Sequence, residues 1–289
     1  MVKLWSVLEV LRWTTTYLQG KSVENPRLDA ELLIGAALGK DRVDVYLSYD
    51  QPLQQAELDA VRALVKRRAL REPLQYILGQ VEFWALPFKV TPAVLIPRAD
   101  TEILVEEGLK VLEQQSGAVL DVGTGSGAVA IALAHSAKVS VCALDISAEA
   151  LQIAHINAQN NGVAELLTFV QADLHALGQG SYRLLVSNPP YITSAQMQEL
   201  MPEVAQHEPE LALHGGEDGL DAYRSLARQA PTVLETGGWI VVEVGQGQAD
   251  AVADIFRAGG LKRCYQRCDY AGIARVVGAC TGDDGERDG

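Results

Sequence analysis

The chain has 289 residues, enough for one large domain or two smaller ones, and its 48% hydrophobic residues can build a sizeable core. Its net charge of -13 excludes a broad basic footprint for nucleic acid and disfavours an anionic membrane surface. Four cysteines in a chain of this length form neither a disulfide framework nor a zinc-ligand pattern, so neither a disulfide scaffold nor a metal is expected.

Residues 4–19 place Leu4, Val7, Leu8 and Leu11 at helical spacing before Gly20. Glu9 and Arg12 interrupt that stretch, so it is no signal peptide, and a reducing cytoplasm is the expected compartment. Asn25-Pro26 reads as a cap with proline at the first helical position, opening a helix that stops at Gly39. Asp41 caps a short helix through Leu47, residues 54–70 form a longer one, and Pro73 opens another that ends at Gly79. Residues 1–79 are therefore expected to be all-helical. The cluster Arg62, Lys66, Arg67, Arg68 and Arg71 lies on the long helix and just past it. It is either a solvated face or a surface for an acidic partner.

Phe83, Leu86, Phe88 and Val90, set among prolines, predict a hairpin within a linker over 80–98. Asp100 or Thr101 can cap a helix reaching about Gln115. From Gly117 the pattern alternates strand and helix: strands over 118–122, 139–144, 167–171, 183–187 and 239–244, with helices between them. The last of these strands follows a Gly237-Gly238 turn, and residues 262–267 and 273–277 read as a closing antiparallel pair. This order predicts an α/β domain over 99–280, a doubly wound and mostly parallel sheet, with a polar, acidic, disordered tail over 281–289.

Two turns carry the chemistry. Gly123-Thr124-Gly125-Ser126-Gly127 joins the first strand to its helix, where glycines let a ligand approach backbone donors. With Ala128, and with Asp145 ending the second strand, it also satisfies the dinucleotide fingerprint. The turn alone therefore leaves a nicotinamide cofactor and S-adenosyl-L-methionine both open. Asn188-Pro189-Pro190-Tyr191 ends the fourth strand as a stiff turn that presents one amide side chain and free carbonyls. Hydride transfer has no use for it. Methylation of a planar nitrogen does, because the Asn188 side-chain oxygen and the Pro189 carbonyl can accept both N–H bonds and aim the nitrogen at a methyl donor, while Tyr191 packs on the flat group. These four residues do not separate an amide acceptor from an adenine amino group.

Across nearly its whole length the chain resembles the HemK/PrmC-type protein-(glutamine) methyltransferases. The resemblance rests on residues 25–31, Leu95-Ile96-Pro97-Arg98, Asp121 through Gly127, Ser187 through Ile192, Glu208-Pro209, Gly215-Gly216 and Glu243-Val244-Gly245 with Gln248. It implies a Rossmann-like class I methyltransferase domain, with a seven-stranded sheet, behind a small helical domain that docks the partner. The implied reaction is methylation of the glutamine of the Gly-Gly-Gln motif in peptide-chain release factors, with no metal and no direct nucleic-acid substrate. Gly123 to Gly127, Asp145, Asp173, Leu174 and Asn188 would hold S-adenosyl-L-methionine, and Asn188 through Tyr191 the glutamine. Two positions depart from the family pattern: Ala99, where proline is common, and Leu174, where many members carry an aromatic. An adenine-amino methyltransferase is the alternative.

Overall fold

The computed structural model describes residues 4–269 and 271–282. They form two compact units: residues 1–79 with Pro202–His207, and residues 80–201 with 208–289.

The first unit holds α1 (Val7–Gln19), α2 (Pro26–Leu38), α3 (Arg42–Leu47), α4 (Gln55–Ala69) and α5 (Leu74–Leu78). Ser6 and Glu9 close a reciprocal capping box at the start of α1, at 3.3 and 3.0 Å, so this helix begins three residues later than Leu4. Asn25 sits at the cap of α2 without a side-chain bond, and Pro26 at the first position sets the helical φ instead. Val7, Leu11, Leu18, Leu33, Ile34 and Val61 build the core. Glu31, almost fully buried, accepts from Arg27, Arg42 and Tyr46 at 3.0, 2.7 and 2.6 Å, which ties α2 to α3. Burial works against its charge, but these donors prevail and hold its carboxyl below the usual range.

The basic cluster is largely spent inside this unit. Arg68 is buried and pairs with Asp29 at 2.6 Å and with Glu203 at 3.0 Å. Arg71 pairs with Glu203 at 2.6 Å, Arg67 with Glu72 at 2.5 Å, and Arg62 with Asp59 at 2.9 Å. Glu203 lies on α9 (Pro202–His207), a short helix that the sequence pattern did not announce. The solvated-face reading therefore fails for Arg68, which joins three segments of the unit.

The second unit opens with the hairpin β1 (Gln80–Phe83) and β2 (Leu86–Lys89), then α6 (Glu102–Gln114). Thr101 stands at the N-cap position of α6 but makes no side-chain cap bond, and Asp100 and Thr101 both fall in a 3-10 turn, Ala99–Thr101, so the helix starts from an already wound segment. The sheet follows as β3 (Val119–Val122), β4 (Val141–Asp145), β5 (Leu167–Gln171), β6 (Tyr182–Ser187), β7 (Leu234–Glu243), β8 (Lys262–Cys268) and β9 (Ala274–Cys280). Its order is β5-β4-β3-β6-β7-β9-β8, with only β9 antiparallel to its neighbours. The connecting helices are α7 (Ala128–Ala137), α8 (Ala148–Asn160), α10 (Asp221–Val233) and α11 (Ala249–Ala258). Residues alternate between the faces: Leu184 and Val186 enter the core under α6 and α7, and Leu185 enters the one under α10 and α11.

Two expectations change. Strand β7 starts at Leu234, and Gly237-Gly238 form a bulge within it, where pairing jumps from Tyr182–Leu234 to Leu184–Trp239. Of the acidic tail, Thr281 is held on the sheet edge by hydrogen bonds to the Gly238 and Glu235 carbonyls at 3.0 and 2.7 Å. Residues 283–289 of that tail lie outside the described residues.

From β3 the chain winds outward to β4 and β5, then returns to β6 on the other side of β3 and winds outward to β7. Such a reversal leaves a crevice beyond the carboxyl ends of the two central strands, where ligands bind in open α/β sheets. The glycine turn leaves β3 there, and the Asn-Pro-Pro-Tyr turn leaves β6 there.

Candidate active site

The glycine turn is locked from below. The N–H groups of Gly123 and Thr124 both donate to the Leu144 carbonyl, at 2.8 and 2.9 Å, and the Thr124 hydroxyl donates to Asp121 at 2.7 Å. Asn157 on α8 donates to the Ser126 carbonyl at 2.8 Å and also bonds both backbone groups of Lys89, joining the turn to the hairpin. Gly123, Gly125 and Gly127 all have positive φ, but for different ends. A Cβ on Gly123 or Gly125 would meet open space, whereas one on Gly127 would lie 2.9 Å from Ile131 and 3.1 Å from Ala154. The first two glycines face the crevice and the third lets α7 approach α8.

The crevice is a cavity of about 420 Å³ within the second unit. Gly123, Gly125, Asp145, Asp173, Leu174 and Asn188 all line it. Thr124, Ser126, Gly127, Pro189 and Tyr191 are not among its lining residues. The first three support the turn, as described above. Pro190 of the tetrapeptide and Leu95 of the linker motif also line the walls, and Val94, Ile146, Leu211 and His214 do so without a signal in the sequence pattern. Asp145 accepts the N–H of Gly125 at 2.8 Å and that of Ser147 at 2.9 Å. Burial raises its pKa, and those N–H groups oppose the rise. Gln229 on α10 fixes the neighbouring wall by bonding the Leu174 carbonyl and the Leu177 N–H, each at 2.7 Å.

The tetrapeptide is braced on every side. The Ile192 N–H donates to the Leu213 carbonyl and the Gly215 N–H to the Ile192 carbonyl, both at 2.9 Å, and Gln248 donates to the Tyr191 carbonyl at 3.0 Å. A Cβ on Gly215 would lie 2.6 Å from the Pro190 carbonyl oxygen, so only glycine permits that approach. Glu208 is buried and clamps the linker before α6, accepting from Arg98 at 2.5 Å and from the Ile96 N–H at 3.4 Å. The Asn188 amide donates to the Thr101 hydroxyl at 3.2 Å. The Tyr191 ring packs against the core of α10 and α11, and its hydroxyl lies 3.5 Å from Glu243. In this position the ring supports the turn from the side of that core, and Tyr191 lines a second cavity with Ile192, Thr193 and Gln248.

Residues 9–79 match the PrmC N-terminal domain and residues 99–217 the methyltransferase small domain. The release factor glutamine methyltransferase of Geobacter sulfurreducens is 48% identical over 281 residues, 97% of this chain and 98% of the relative. That of Bradyrhizobium diazoefficiens is 40% identical, over 95% and 94% of the two chains. The chain belongs to the release factor glutamine methyltransferase family. A methyltransferase from Pyrococcus furiosus shares the fold at a TM-score of 0.50 and 15% identity, over 68% of this chain and 90% of that one. The adenine-amino alternative finds no counterpart in the two sequence relatives above. Family membership brings S-adenosyl-L-methionine as methyl donor, and the residues present fit it: an open glycine cradle, a carboxylate ending β4 and an apolar wall at Leu174 and Ile146. Among the described residues no His, Cys, Asp or Glu cluster could hold a metal ion, and no helix is long and apolar enough to cross a membrane.

Two carboxylates of this methyltransferase are buried deeply enough to change their chemistry. Burial pushes Asp121 up to about 7, against the Thr124 hydroxyl and with help from the Asp145 charge. Burial also pushes Glu243 up to about 7, opposed by hydrogen bonding from Thr101 and by the Arg275 charge. Burial holds the Tyr191 phenol at about 12, so it stays a donor toward Glu243.

Proposed function

We propose that this chain transfers a methyl group from S-adenosyl-L-methionine to the side-chain amide nitrogen of the glutamine in the Gly-Gly-Gln motif of peptide-chain release factors. The observation that carries this reading is the Asn188 amide at the wall of the cavity, with its nitrogen committed to Thr101. That commitment leaves the Asn188 carbonyl oxygen to accept an N–H from an incoming amide. The Pro189 carbonyl, which no backbone or side-chain donor satisfies among the described residues, supplies the second acceptor. An amide nitrogen is a poor nucleophile because its lone pair is delocalised. Two acceptors on its hydrogens hold the group in plane and let the lone pair localise as the new bond forms, and positioning of this kind is worth roughly 7–11 kcal/mol at best. The donor supplies an electrophilic methyl group. Gly123 and Gly125 give it backbone access, Asp145 accepts from its ribose, and Asp173 with Leu174 borders its adenine.

The helical unit docks the release factor in this reading, and the reaction belongs in the cytoplasm, where release factors work. Purified release factor and labelled S-adenosyl-L-methionine test it directly. Wild-type enzyme should label the factor, replacement of the motif glutamine should abolish the label, and Asn188→Ala should cost about a hundredfold or more in kcat. Labelling of the glutamine-less factor refutes the assignment of the acceptor, and full activity in Asn188→Ala refutes the role of the side chain.

A further inference from the structure

Apolar walls do not tell one purine from another. Leu174 and Ile146 offer a base dispersion contact, and hypoxanthine fills the same space as adenine. Discrimination has to come from hydrogen bonds at the edge of the base, made by groups held firmly enough to refuse the wrong pattern. The turn after β5 carries such groups on the cavity wall. The Ala176 N–H donates to the Asp173 carbonyl at 2.9 Å, and the His175 N–H donates to Asp173 Oδ1 at 2.8 Å. Oδ2 of Asp173 is left to accept, and the Leu174 N–H has no partner among the described residues. An acceptor and a donor on adjacent lining residues match adenine, whose amino group donates and whose N1 accepts. Hypoxanthine presents the reverse at both positions, an oxygen and an N1–H.

Residues 173–177 lie in neither helix nor strand, so no backbone ladder holds them. Gln229 on α10 takes that part. Its Nε2 donates to the Leu174 carbonyl and its Oε1 accepts the Leu177 N–H, each at 2.7 Å. The two demands are opposite, so the amide fits only one way round. Nε2 also reaches back to Oγ of Ser225 at 3.1 Å, and Ser225 is buried. The side chain is thus anchored one turn earlier on its own helix while it bridges the loop. With the Leu174 carbonyl and the N–H groups of His175, Ala176 and Leu177 all engaged, the turn is held in one conformation, and the Leu174 N–H is fixed with it.

We infer that Gln229 is a positioning residue that sets the base specificity of the cofactor site, by fixing the turn that carries the Asp173 acceptor and the Leu174 donor. This inference rests on the proposed placement of adenine beside Asp173 and Leu174, and adds what makes that edge selective. Gln229 is not among the residues that line the cavity, so it acts through the turn and not on the base.

Calorimetric titration of the full chain with S-adenosyl-L-homocysteine and with its hypoxanthine counterpart, S-inosyl-L-homocysteine, is the test. Wild type should prefer the adenine compound by about a hundredfold or more. Gln229→Leu keeps the bulk and drops both bonds to the turn. It should weaken the adenine compound about tenfold, leave the hypoxanthine compound within about threefold, and so narrow the preference. Gln229→Glu keeps an acceptor for Leu177 but sets an oxygen against the Leu174 carbonyl. It should narrow the preference as far, and it serves if Gln229→Leu folds poorly. In methyl transfer to release factor, Gln229→Leu should raise the KM for S-adenosyl-L-methionine by about tenfold while kcat changes less than about threefold. An unchanged preference in the folded variants, or an equal loss of both compounds, overturns the inference. Asp173→Ala separates it from its premise. If that variant narrows the preference and the Gln229 variants do not, only the inference falls. If Asp173→Ala also leaves the preference intact, the placement of adenine falls with it.

Discussion

Asp121→Asn is a test of the electrostatics beneath the glycine turn. The Asp121 side chain ends β3 fully enclosed, with the Thr124 hydroxyl at 2.7 Å as its side-chain donor. Its pKa rises from 3.8 to about 7, chiefly through burial. A rise of roughly three decades in proton affinity, at about 1.4 kcal/mol each, makes the ionised carboxylate cost the folded state about 4 kcal/mol. The sign follows from proton counts. Below about pH 4 both states hold the proton and the penalty is absent. Between about pH 4 and 7 the unfolded chain releases it while the folded chain keeps it, so stability falls as pH rises. Above that range the penalty is complete. Asparagine keeps an acceptor for Thr124 and carries no charge, though its NH₂ gives the backbone N–H of Ala130 in α7 less to bond. A net gain of about 1–3 kcal/mol at pH 8 is expected, or several degrees in Tm at roughly 2–4 °C per kcal/mol. Thermal unfolding of both proteins at half-unit steps from pH 5 to 8 measures the difference. It should widen from pH 5 and level off above about pH 7. An equal difference at pH 5 and pH 8, or a variant whose standing worsens as pH rises, would refute the argument that burial of this charge sets the slope.

Gly127→Ala and Gly125→Ala should separate packing from binding. The first forces a methyl group within 2.9 Å of Ile131 at a φ of +83°, so it should cost about 1–3 kcal/mol in urea unfolding. The second meets open space at a φ of +55°, so it should cost about 1 kcal/mol in stability yet weaken S-adenosyl-L-methionine in calorimetric titration. Equal effects of both variants in both assays would erase the distinction between the two glycines. In the helical unit, Arg68→Ala strands the buried carboxylate of Asp29, while half-buried Glu203 keeps Arg71 at 2.6 Å, and should destabilise by about 3–5 kcal/mol. Lys66→Glu, on the exposed side of α4, should leave Tm within about a degree. It should raise the KM for intact release factor at low salt if the remaining positive charge meets the partner.

The class of the fold was legible because its signals are local. Alternating apolar strands and amphipathic helices, glycine stops and caps marked every sheet strand within a few residues, and the order of elements set the parallel core. The misreadings arose where a tertiary partner overrode a local propensity. Thr101 has the chemistry of a helix cap, but its hydroxyl is taken by Asn188, so the chain ahead of α6 winds into a 3-10 turn instead. Gly237-Gly238 has the chemistry of a turn, but Arg183 donates to the Gly237 carbonyl at 2.9 Å and holds the pair as a bulge inside β7. Arg68 reads as a surface charge until Asp29 and Glu203 close on it from positions 39 and 135 residues away.

The same contrast runs through the active site. Gly123, Gly125, Asp145 and Asn188 could be named in advance because each ends a central strand or follows one, and the winding reversal at β3 and β6 must bring those ends together. Tyr191 belongs to the same turn, past the end of β6, and its ring packs against the core of α10 and α11 with its hydroxyl 3.5 Å from Glu243. What no spacing could give is the brace. Glu208, Gly215 and Gln248 were marked only by the family resemblance, with no role attached, but each fixes backbone at or beside the tetrapeptide: Glu208 through Arg98 and Ile96, Gly215 by the absence of a side chain at 2.6 Å from Pro190, Gln248 through the Tyr191 carbonyl. A stiff turn needs its surroundings to choose one orientation for it. Those scattered residues make that choice for the backbone, and the Thr101 hydroxyl, 3.2 Å from the Asn188 amide nitrogen, holds the side chain.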